Sequence, residues 1–140
     1  EMPTLQGYGR RNSYTMQGIM SVIRATGTAN KHVIFIAHED MPKQDEMTGA
    51  IMVSILVGGK MQAEIPIKLS EVWHLEDTGK EHKISIRSSR LRKPMKSRMF
   101  RTDGDSSFSW SFKPESWEGE GIGDWYKAWV DNGGKKIALP

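Results

Sequence analysis

Apolar residues recur along the first quarter of the chain at steps of three and four. Met16, Ile19, Met20 and Ile23 fall on one helical face, with Asn12 or Ser13 placed to cap the start and Gly27 to stop it. Residues 1–12, with Pro3, Gly7 and Gly9, read as an irregular lead-in. The next stretch, KHVIFIAHED (31–40), is different: Val33 to Ala37 do not alternate with polar residues, which predicts a strand covered on both faces, as in the centre of a parallel sheet. A loop over 41–50 leads to a second apolar run, Ile51 to Val57, broken by Gly58 and Gly59. A short helix from Lys60 to Ile65 follows, ended by Pro66, which has no N–H to continue it. From residue 70 the period changes to two. SEVWHLED (70–77) and HKISIRSS (82–89) predict an antiparallel hairpin turning at Gly79, and SFSWSF (107–112) a further short strand. Ile122, Trp125, Trp129 and Val130 predict a last helix closed by Gly133.

A helix followed by a buried strand gives an α/β expectation: a mainly parallel sheet flanked by helices, with an antiparallel hairpin towards the C-terminus. Residues 1–102 form the main unit and 103–140 a Trp-rich, acidic extension. Its tryptophans, Trp110, Trp117, Trp125 and Trp129, are expected to pack rather than stack on bases, because the acids around them repel phosphate.

The absence of cysteine excludes disulfides, thiolate metal sites and a Cys nucleophile. No apolar run approaches the ~20 residues of a membrane helix, and no signal peptide opens the sequence, so the expected compartment is the cytoplasm, that of the host if the protein is phage-encoded. The chain begins at Glu1 rather than Met, as a processed product or a piece of a longer protein would. Its net charge of +3 is unevenly spread. Arg87, Arg90, Arg92, Lys93, Lys96, Arg98 and Arg101 lie together with no acid among them, which marks either an anion-facing patch or a solvated loop.

The expected parallel strand ends in His38, Glu39 and Asp40, where open parallel sheets place their ligands. A neutral imidazole offers one donor and one acceptor and suits a phosphate oxygen or an attacking water; a strand-end histidine with no ligand is the alternative. A metal reading is weaker, because adjacent residues point in different directions and no second histidine stands at ligand spacing.

The order VIFIAHE, irregular loop, GGK, short helix, SEVWHLE, KISIRSS and RLRKPMKSRM resembles the second half of a RecA-like P-loop ATPase core. The likeness is to single-domain phage nucleotide-binding proteins that serve recombination, and it spans roughly residues 3–100. The resemblance implies ATP and Mg2+ as cofactors of an intact enzyme, single-stranded DNA as partner, and a homo-oligomeric ring or filament with sites at subunit boundaries. In that frame His38 senses the terminal phosphate. Glu39 or Asp40 bonds a neighbouring loop or the water near magnesium. The segment from Met41 to Met61, with Lys43, Gly58, Gly59 and Lys60, tracks DNA. Lys96 and Arg98 match a Lys-x-Arg finger that reaches into a neighbour's nucleotide, where positive charge stabilises phosphoryl transfer. A DNA-backbone patch that also includes Arg90, Arg92 and Lys93 is the competing reading.

The phosphate cradle G-x-x-x-x-G-K-[ST] is missing: Gly59-Lys60 precedes Met61 and Gly79-Lys80 precedes Glu81. No cofactor is therefore expected to bind this chain by itself, and ATP hydrolysis requires an upstream portion that supplies the cradle. The remaining alternatives are a small non-enzymatic nucleic-acid-binding module and a fragment of a DNA-packaging motor ATPase.

Overall fold

A computed structural model describes residues 5–92, 95–102, 104–110 and 121–140. Helix α1 spans Leu5–Thr28, so the expected lead-in is helical almost from its start. Gly7 and Gly9 each cost about 1 kcal/mol relative to alanine but do not forbid the geometry. The predicted face is the one turned inward: Asn12, Met16, Ile19, Met20, Ile23 and Thr26 are its half-buried positions. The stop lies beyond Gly27. Asn30 takes a positive φ of 51°, and the Lys31 N–H bonds the Thr26 carbonyl at 2.8 Å, an ending in which asparagine replaces the usual glycine.

Val33 to Ala37 form no strand. Ile34 is 68% and Ile36 93% exposed, so the buried central strand expected here is not present, and both sheets among the described residues are antiparallel. The expected loop 41–50 instead holds a hairpin, β1 (Lys43–Gln44) with β2 (Ile51–Met52). Its turn is organised by Asp45, whose Oδ1 accepts the Thr48 N–H at 2.8 Å and the Met47 N–H at 3.1 Å. The pairing resumes at Glu39 and Ile55, with one more residue on the first strand than on the second, a bulge at residues 40–42.

Helix α2 runs Met61–Lys68 and includes Pro66 instead of ending before it. The missing N–H removes one internal bond, and the helix continues for little more than half a turn. The later expectations hold. Strands β3 (His74–Asp77) and β4 (His82–Ser85) form the antiparallel hairpin, and β5 (Ser107–Trp110) adds to β4 in the order β3-β4-β5. Phe112, Trp117 and Lys113 lie outside the described residues. Helix α3 spans Ile122–Asp131; Asp124 accepts the Gly121 N–H at 3.2 Å at its start. It closes with Gly133 at φ 66° and the Gly134 N–H on the Trp129 carbonyl at 2.9 Å.

One core unites this half of the chain. Ile84, Ile86, Met99, Phe100, Phe108 and Trp125 are buried together, with Trp73, Tyr126, Trp129, Ile137 and Leu139 against them. Phe108 and Trp125 meet edge to face at 5.3 Å, and Phe100 lies 5.6 Å from Phe108 and 5.8 Å from Trp125. The inward stripe of α3 is Trp125, Tyr126 and Trp129, whereas Ile122 and Val130 are about half exposed.

Candidate nucleic-acid interface

β4 delivers the chain from Ile86 into the basic segment, which returns to the core at Met99 and Phe100. Serine hydroxyls and one carboxylate hold its described parts, 87–92 and 95–98. Ser89 Oγ accepts the Leu91 and Arg92 N–H groups at 3.2 and 3.0 Å, and the Ser89 N–H bonds the Arg92 carbonyl at 3.0 Å. Ser88 Oγ accepts the Met95 N–H at 2.8 Å and donates to the Met95 carbonyl at 3.2 Å. Ser97 Oγ accepts the N–H groups of Met99 and Phe100 at 3.1 and 2.9 Å. Glu71 Oε1 accepts the N–H groups of Arg98 and Met99 at 2.6 and 2.8 Å, while its Oε2 accepts the Trp73 indole N–H at 2.7 Å. These bonds give the backbone on either side of residues 93–94 a defined path.

The cations divide into two kinds. Arg92 is a structural partner: its Nε and a terminal nitrogen donate to the two Glu39 oxygens at 2.6 and 3.3 Å, and His74 Nε2 lies 3.2 Å from the same carboxylate. The Arg92 hydrogen bond, helped by His74, holds the Glu39 carboxyl below its ordinary value against a smaller opposing effect of burial. In turn Glu39 raises the Arg92 pKa. Lys96 is also engaged, its Nζ donating to the Ile67 carbonyl at 3.2 Å, at the C-terminal end of α2 where a cation suits the helix dipole. Its backbone makes two bonds with Val72. Arg87, Arg90 and Arg98 are exposed, and their side chains pair with no acid among the described residues. Lys93 lies outside the described residues.

The remaining sequence-derived residues sit elsewhere. His38 is exposed, and its carbonyl accepts the Leu56 N–H at 2.7 Å. Glu39 bonds a neighbouring loop, through Arg92. Asp40 is bound to Lys43 and accepts from Gln62 Nε2 at 3.2 Å and the Met41 N–H at 2.9 Å, and these bonds, Lys43 foremost, lower its pKa. No three potential metal-ligating side chains converge among the described residues.

Gly58 and Gly59 pack under α1. Gly59 has φ 59°, and a Cβ there would lie 3.3 Å from Asn12 Nδ2, while the same Nδ2 is 3.5 Å from the Gly58 carbonyl oxygen. Lys60 precedes α2 and, with Gly9, Asn12, Met16 and Glu64, lines a shallow groove between the two helices. The basic loop joins this region through the Glu39–Arg92 pair and through the Val53 N–H, which donates to the Leu91 carbonyl at 2.7 Å, and not through the His38 side chain or the glycines.

Sequence reasoning missed Glu71, His74 and the loop serines. The partners of Glu71 and His74 lie across the fold, whereas the serines bond backbone groups two to seven residues away, and only the serines flanking the arginines hinted at them. No protein-family model, curated protein or solved structure matches the chain.

Proposed function

We propose that the chain binds nucleic acid through the phosphate backbone, with Arg87, Arg90 and Arg98 as the contacting residues. One observation carries this reading: three exposed arginines, unpaired with any acid among the described residues, lie on a segment whose described backbone is held by Ser88, Ser89, Ser97 and Glu71. A guanidinium presents a planar fork of donors that matches a phosphate, and a preset backbone leaves less freedom to lose on binding. Fluorescence anisotropy with a labelled single-stranded oligonucleotide tests it. Replacing Arg87, Arg90 and Arg98 by Gln weakens binding at least tenfold at low salt and leaves the thermal midpoint unchanged. Equal affinity of the two proteins contradicts the proposal.

A second reading, the C-terminal part of a RecA-like ATPase core acting on single-stranded DNA, is favoured by the apolar segment Val33–Ala37. Ile34 and Ile36 stand largely exposed just before His38, as a central strand would if its neighbouring strands came from outside these residues. In that protein His38 senses phosphate, and Arg98 is better placed than the engaged Lys96 to reach a neighbour's nucleotide. Calorimetric titration of this chain with ATP and magnesium then gives no micromolar binding, because the phosphate cradle is missing from its sequence. Micromolar binding contradicts the fragment reading.

A further inference from the structure

Arg98 and Lys135 are 37 positions apart in the chain, yet the fold brings the two segments together. Phe100 and Ile137 form a parallel bridge: the Arg101 N–H donates to the Ile137 carbonyl at 2.7 Å, and the Ile137 N–H donates to the Met99 carbonyl at 2.9 Å. Adjacent chains in such a pairing run about 4.8 Å apart. Lys135 and Lys136, both exposed, therefore arrive beside the segment Arg98–Met99. Two consecutive glycines with positive φ, Gly133 at 66° and Gly134 at 73°, turn the chain out of α3 towards this position. Ile137 and Leu139 pack on the core and anchor the segment. Nothing in the local sequence GGKKIALP shows that it joins the basic loop.

We infer that Lys135 and Lys136 extend the anion-binding surface, so that a nucleic-acid strand held at Arg98 also contacts the C-terminal segment. This rests on the loop's proposed role in binding phosphate. The chemistry fits a continuous polyanion rather than a single phosphate, because the cations come from two chain segments. A lysine ammonium acts as a compact point charge that follows a phosphate backbone without reading bases.

Two measurements on the full chain test the inference. In the first, exposed lysines are acetylated with and without a single-stranded oligonucleotide and read by peptide mass spectrometry. Lys135 and Lys136 become protected, while Lys80, in the β3–β4 turn at the opposite end of the hairpin, does not. In the second, Lys135→Gln combined with Lys136→Gln makes the slope of log affinity against log salt shallower by about 1.4, from about 0.7 per lost contact to a single strand. Unprotected lysines and an unchanged slope, with binding still weakened by Arg87→Gln, Arg90→Gln and Arg98→Gln, overturn the extended surface and leave the loop reading standing. A wild-type chain that does not bind the oligonucleotide overturns both.

Discussion

Arg92 and Glu39 are 53 positions apart, and each carries a charge that sequence reasoning assigns to a ligand; in the fold they satisfy each other. Pairing of this kind is tertiary, so nothing local to either residue reveals it. The pair is partly exposed and contributes about 1 kcal/mol or less. Because its partners lower the Glu39 pKa from the ordinary 4.5, the stabilisation is present above that pH and is lost as pH falls through the lower value in the folded state. Glu39→Gln is therefore less stable than wild type at neutral pH, and the difference shrinks below about pH 4.5. Urea unfolding of both proteins across the acid range checks this, and a constant difference contradicts it. Arg92→Gln loses similar stability but leaves the salt dependence of oligonucleotide binding unchanged, unlike loss of an exposed arginine. Gly59 is a second residue on which the fold makes a local demand, through its positive φ of 59°. Gly59→Ala, forced into a left-handed conformation, costs about 1–2 kcal/mol in chemical unfolding. Gly58→Ala, which has a negative φ and meets its neighbours only at 3.5 Å or beyond, costs less.

Elements were legible in proportion to how local their signals are. The alternation of Ile84 and Ile86 with polar neighbours identified β4, and Gly79, at φ 78°, marks the turn that pairs it with β3. The face of α1 was legible from its spacing, but its start was not, because glycines lower helix propensity without excluding a helix. Val33–Ala37 shows the limit most clearly. An unbroken apolar run states what the segment can bury, whereas the strand that would cover it is a long-range partner. The β1–β2 hairpin was missed because its strands are two residues each and its turn depends on the Asp45 side chain. The aromatic core makes a quantitative expectation: Phe100 has no exposed surface and touches the rings of Trp73, Phe108 and Trp125. Phe100→Ala should destabilise the chain by about 3–5 kcal/mol in urea unfolding. A loss under 1 kcal/mol would show that the cluster does not organise this half of the protein.

Across the whole molecule the charge pattern, not the fold class, leads to function. The basic segment was evident in the sequence, but which of its cations are available was not: Arg92 is tied to Glu39 and Lys96 to the end of α2, while Arg87, Arg90 and Arg98 remain exposed. The mixed α/β architecture, with two antiparallel sheets among the described residues, offers this loop a stable base at Ile86 and Phe100, the two most deeply buried large side chains described. Among the described residues no helix is long and apolar enough to cross a membrane. The most direct test of phosphate binding is a salt titration of single-stranded oligonucleotide affinity. The account predicts a linear fall of log affinity with log salt for wild type. With Arg87, Arg90 and Arg98 replaced by Gln, it predicts a slope shallower by about two, from about 0.7 for each lost contact. Parallel lines for the two proteins would contradict it.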